Sequence, residues 1–103
     1  MSDEIRVLFE VRSMLIMKDT LREMGIDYNE LSEHSVEIQR PYHNMVINSE
    51  TGEVTLDEEN KQEMDIICQK YQINWYKDRA VREGNHVREE VRSTGEIVLH
   101  VTR

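Results

Sequence analysis

The sequence predicts an α+β fold: a small mixed or antiparallel sheet with a terminal β-hairpin, one short helix, and one long helix that is straight or kinked. Ile5, Val7, Phe9 and Val11 alternate with Arg6, Leu8, Glu10 and Arg12, the period of two typical of a strand with one buried face. From Asp57 to Gly84 they recur every third or fourth position, as in a helix. Two Thr-Gly-Glu turns, at 51–53 and 94–96, separate short apolar segments as hairpin turns do.

The first helix is predicted to follow the first strand directly. Ser13 occupies an N-cap position, apolar residues recur at helical spacing from Met14 to Met24, and Gly25 supplies a left-handed stop. The polar stretch 26–33 is expected to be a connection, with room for a short helical piece.

Three further strands and a hairpin are predicted from the remaining alternating segments. They cover 36–40, which ends at Pro41, then 45–47 and 54–56. In the terminal hairpin a three-residue loop, Ser93 to Gly95, pairs Val91 with Ile97 and so keeps the apolar residues on one face.

The long helical segment carries two apolar stripes. The predicted core stripe comprises Met64, Ile67, Cys68, Tyr71 and Trp75. Ile66, Ile73 and Ala80 lie roughly opposite it. We therefore expect either a break near 72–74 or a second contact surface, for which a homodimer through this helix is one explanation.

Length and composition predict one domain spanning residues 1–103. The acidic N-terminal segment lacks the features of a signal peptide, so a cytoplasmic location is expected. Residues 1–65 hold 16 acidic against 6 basic residues, and residues 66–103 hold 5 against 7. This balance argues against direct binding to nucleic acid or to an anionic membrane and favours a basic protein partner.

No motif in the sequence indicates an enzyme. The four scattered glycines form no phosphate-binding loop, and no nucleophile signature is present. His86 and His100 are predicted on opposite faces of the terminal hairpin, which speaks against a shared metal ion. We therefore predict no catalytic residue, no cofactor and no metal ligand.

An acidic run from Glu50 to Asp65 is the main candidate for a functional surface. It forms the predicted start of the long helix and adjoins the second apolar stripe, so together they would dock a protein partner. The predicted partner-binding residues are Glu53, Asp57, Glu58, Glu59, Glu63, Ile66 and Ile73.

Two other functional classes fit the sequence. An acidic protein of this size can inhibit a DNA- or RNA-binding protein by imitating the phosphates of nucleic acid. Alternatively, Tyr42 and His43 at a strand end, together with Trp75, would line the pocket of a small ligand-binding domain or enzyme.

Three segments carry a family resemblance: LREMGI at 21–26, QKY at 69–71, and the closing GEIVLHVTR at 95–103. With their order along the chain, they resemble a family of small conserved proteins of unknown function found in cyanobacteria, plastid genomes and phages. The aromatic-rich middle of that family is replaced here by the acidic segment 50–65. The resemblance implies an accessory or adaptor-like protein, phage-encoded or not, acting near a AAA+ ATPase, and it supplies no catalytic residue.

Overall fold

The computed structural model describes residues 3–103 and confirms the α+β class. The strands are β1 (Glu4–Leu8), β2 (Asn29–Ser32), β3 (Ser35–Ile38), β4 (Met45–Asn48), β5 (Glu53–Asp57), β6 (His86–Val91) and β7 (Ile97–Thr102). The helices are α1 (Met14–Glu23) and α2 (Lys61–Arg82), the latter preceded by a 3₁₀ turn at Glu58–Asn60. No helix within residues 3–103 combines the length and apolar character needed to cross a membrane.

The chain divides into two compact units, one ending at Tyr71 and the other running from Gln72 to Arg103. A compact unit is not by itself an independently folding domain. The expectation of one domain over 1–103 therefore stays a prediction.

The first unit is built on a five-stranded antiparallel sheet with strand order β1-β5-β4-β3-β2. Its apolar face is continuous because residues directly opposite each other across the strands point to the same side. The residues in register on that face are Ile5, Leu56, Val7, Val54, Ile47, Val36, Met45 and Ile38. All of them except the half-buried Ile5 and Val7 are fully buried.

Buried residues from α1 and from the first half of α2 complete this core. Helix α1 contributes Met14, Met17, Thr20 and Leu21, and α2 contributes Met64, Ile67 and Tyr71. The Tyr71 hydroxyl accepts hydrogen bonds from the backbone N–H groups of Arg12 (2.8 Å) and Ser13 (3.1 Å). Its ring meets Phe9 edge to face, so Tyr71 ties α2 to the chain that leads into α1.

Several local predictions are confirmed. Ser13 caps α1 by accepting a hydrogen bond from the Ile16 N–H, and Gly25 has a φ of 72° after the helix end. In the second unit β6 pairs with β7, with Val91 opposite Ile97 as expected.

Two expectations are wrong, and one of the two alternatives for the long helix is removed. The stretch 26–33 contains strand β2 and no helical piece, because backbone pairing with β3 determines its conformation. Helix α2 is uninterrupted from Lys61 to Arg82, so the chain does not break near 72–74. His86 and His100 share a face of the hairpin, since His86 lies opposite Thr102, two residues from His100 on the same strand.

Candidate protein interface

The acidic residues near the start of the long helix differ in how exposed they are. Glu58 and Glu59 belong to the 3₁₀ turn and are exposed, as predicted for a docking surface. Glu53 is half-buried in β5, where it lies opposite Leu8 on one side and Asn48 on the other. The acidic run is therefore not one uniform surface.

Asp57 was predicted to contact a partner, but its side chain is completely buried. One carboxylate oxygen, Oδ2, accepts the Glu59 N–H at 2.9 Å and so caps the 3₁₀ turn. The other, Oδ1, has no hydrogen-bond partner and lies 3.7 Å from Nε2 of His43. Nδ1 of that ring is 3.9 Å from Glu4. Burial at the end of β5 makes Asp57 a structural residue, because a buried carboxylate is unavailable to a partner.

Glu63 makes a two-point contact with Arg40. Its two carboxylate oxygens accept hydrogen bonds from Nε and Nη2 of the guanidinium at 2.8 Å and 2.7 Å, across 23 residues of sequence. The hydrogen bond to Glu63 raises the pKa of Arg40 above its ordinary value. Glu63 thereby joins α2 to the segment after β3, so reversing its charge would disturb folding as well as any docking.

The residues of the second apolar stripe also differ in exposure. Ile66 is 51% exposed, whereas Ile73 is only 7% exposed and Ala80 is buried. Ile73 and Ala80 lie on the same side of α2 as Lys77, whose ammonium group contacts Glu89 of β6. The prediction that Ile73 binds a partner is therefore wrong, because its side chain is not accessible.

The exposed residues around Ile66 form one face of the helix start. They recur at steps of three and four along the chain, which places them side by side. We call this face the acidic stripe and define it as Glu58, Glu59, Gln62, Asp65, Ile66 and Gln69, all exposed. Asp65 is paired with Lys61 one turn earlier. Gln62 and Gln69 were missed as site residues, although their spacing from Glu58 and Ile66 placed them there, and Asp65 belongs to the predicted acidic run.

The residues of the alternative ligand pocket belong to different units. Tyr42 is exposed and His43 lies beside Asp57 in the first unit, whereas Trp75 in the second unit packs edge to face against Tyr76 and under the Arg79 guanidinium. Two clefts of the first unit have other linings. One, of about 370 Å³, is lined by Gly25, Ile26, Asp27, Tyr28, Asn29, Gln39 and Arg40. The other, of about 480 Å³, is lined by residues 8–10 and 49–52.

The remaining reactive groups offer little chemistry. Burial raises the pKa of Cys68 to about 12, so its thiol is protonated at neutral pH and is a poor nucleophile. Among residues 3–103 no three acidic, histidine or cysteine side chains converge in a way that would hold a metal ion.

No protein-family model, curated protein or solved structure matches this chain. The resemblance to the small cyanobacterial, plastid and phage proteins therefore stays a prediction.

Proposed function

We propose that this protein is a non-enzymatic, adaptor-like module that binds a basic protein surface through the acidic stripe. The observation that carries the proposal is the exposure of Ile66 in the middle of a face that also presents Glu58, Glu59 and Asp65. An exposed apolar side chain surrounded by acidic and amide groups resembles the anchor and polar rim of a protein interface.

Charge and shape together suggest the partner. The stripe extends from Glu58 to Gln69, about 17 Å along the helix, which suits a shallow apolar pocket flanked by Lys or Arg. A cytoplasmic AAA+ ATPase is the partner class that the family resemblance implies, whether the gene is of phage or host origin.

The test is quantitative affinity capture with matched variants. The double variant Glu58→Lys/Glu59→Lys removes the acidic rim, and Ile66→Glu removes the apolar anchor. The control Glu33→Lys/Glu96→Lys makes the same change in net charge at two exposed positions outside the stripe, one in the turn after β2 and one just after the turn of the terminal hairpin. Glu63 and Asp57 are left intact because both hold the fold together.

We expect a basic protein that the wild type and the control capture equally, and that both stripe variants lose. Its retention should weaken as salt is raised, because exposed charge pairs are screened. A partner that all variants retain contradicts the proposal. Displacement of the partner by duplex DNA would instead place the protein among the acidic mimics of nucleic acid.

A further inference from the structure

The two edges of the five-stranded sheet differ in how they are protected. At one edge, β2 has a register irregularity between Glu30 and Ser32, and Glu30 is held by Lys18 at 3.0 Å. Bulges and charged contacts of this kind discourage the addition of another strand. At the other edge, β1 pairs regularly with β5 through Leu8, which is 81% exposed. Among residues 3–103, β1 shows no register irregularity, and its contact of this kind, Glu4 with His43 at 3.9 Å, lies at its first residue, away from Leu8.

The backbone of β1 is oriented for a further strand. The Phe9 N–H donates to the Gly52 carbonyl and the Glu58 N–H to the Asp3 carbonyl, both at 2.8 Å, so odd-numbered residues of this strand bond to β5. Backbone groups alternate in direction along a strand. The N–H and C=O groups of Glu4, Arg6 and Leu8 therefore face outward from the sheet.

The side chains from 5 to 11 are self-complementary about Leu8. In an antiparallel pairing of two copies centred on Leu8, Arg6 lies opposite Glu10, Val7 opposite Phe9, and Leu8 opposite itself. Further out, Ile5 lies opposite Val11, where the paired stretch ends. Every contact then pairs opposite charges or two apolar side chains.

The chain beyond β1 keeps the geometry that this pairing needs as far as Val11, whereas at Arg12 it bends and the Arg12 N–H donates to the Tyr71 hydroxyl. The alternation of exposure continues past Leu8, with Glu10 and Arg12 exposed, Phe9 half-buried and Val11 buried. The side chains of Glu10 and Arg12 meet at 3.3 Å, so they lie on one side.

Other registers are poorer. Centring on Arg6 places two guanidinium groups opposite each other, and centring on Val7 places Glu4 opposite Glu10. Centring on Ile5 pairs Glu4 with Arg6 but sets Asp3 against Val7 and gives Leu8 no apolar neighbour. Only the register about Leu8 satisfies both the charges and the apolar residues.

We propose that a second copy of this chain docks on the free edge of β1, antiparallel and centred on Leu8, so that the two sheets become one. The dimer places the two Leu8 side chains together on the polar side of the sheet, with Arg6 of each copy beside Glu10 of the other. It uses no residue of the acidic stripe and so stands independently of the proposed function.

The test is sedimentation equilibrium on charge variants over a range of protein concentrations. Arg6→Glu and Glu10→Arg each place like charges at two symmetric contacts, and we expect each to raise the dissociation constant of the dimer about tenfold or more. Mixing the two variants restores association, because opposite charges then meet at both contacts. Glu10→Arg also tests the register, since Glu10 is unpaired in the register about Ile5.

Substitution of Leu8 provides a second test of the dimer. Leu8→Asp brings two carboxylates together at the symmetry axis and should abolish the dimer, whereas Leu15→Asp at an exposed position of α1 should leave it intact. Circular dichroism checks that both variants fold, and Ile66→Glu should dimerise like the wild type. A wild type that is monomeric at all concentrations overturns the proposal, as does a dimer that Glu10→Arg leaves unchanged.

Discussion

The sheet of the first unit and the hairpin of the second are both antiparallel and both built from alternating residues, yet they bury their side chains to very different degrees. In β3, β4 and β5 the inward residues are fully buried, whereas no strand residue of β6 or β7 is buried. Val91 and Val101 are more than half exposed. A two-stranded hairpin is marginally stable unless other elements cover it. The alternation of residues along a strand thus indicates which side of the sheet each residue faces. How much the residues on that side stabilise the fold depends on the number of neighbouring strands.

The largest expected difference between the two regions comes from truncating one leucine in each. Leu56→Ala in β5 should lower the free energy of unfolding by about 3 kcal/mol, because it leaves a cavity in a fully buried site. Leu99→Ala in β7 should cost about 1 kcal/mol, because Leu99 is only half-buried. Urea unfolding of both variants measures the two values. Equal losses would show that the hairpin is as well packed as the sheet.

The hydroxyl of Tyr71 gives the next largest effect. Tyr71→Phe leaves the Arg12 and Ser13 N–H groups without their acceptor and should cost about 2 kcal/mol. The matched control is Tyr76→Phe, since Tyr76 lies on the second-unit part of the same helix with an exposed ring. Urea unfolding should show almost no change for the control. If both variants behave alike, Tyr71 contributes through its ring alone.

Removing the buried cap should have a smaller effect. Asp57→Ala loses the acceptor for the Glu59 N–H and should cost about 1 kcal/mol. Asp57→Asn keeps an acceptor oxygen and should recover most of that loss. Thermal or urea unfolding distinguishes the two variants. A full loss in Asp57→Asn would mean that the charge beside His43, and not the cap, stabilises this end of β5.

Sequence patterns predicted what depends on neighbours along the chain. The register of the terminal hairpin followed from keeping Val91 and Ile97 on one face, and the Ser13 cap from its position before an apolar run. Strand β2 could not be foreseen, because its residues, Asn-Glu-Leu-Ser, lack apolar alternation and are ordered by pairing with β3.

The candidate site was predicted only in part for the same reason. The spacing that makes Ile66 and Glu58 neighbours is local, so most of the acidic stripe could be predicted from the sequence. Arg40 lies 23 residues from Glu63, and no short-range pattern connects them. Asp57 carries the signature of a cap, but its burial depends on its position opposite Glu4 at the end of the sheet. In the sequence, Glu63 and Asp57 both look like exposed surface acids.

The last effect appears only at high pH and concerns Cys68, which reports on the packing of the first unit. Because burial raises the pKa of its thiol to about 12 from an ordinary value of 9.0, the unfolded chain loses this proton at lower pH than the folded protein. The contribution of Cys68 is therefore complete below about pH 9 and declines as pH rises toward 12. Other groups titrate in this range, so the comparison is with Cys68→Ala. Urea unfolding at stepwise increasing pH should show the stability difference between wild type and variant shrinking, and a constant difference would mean that the thiol is solvated in the folded state.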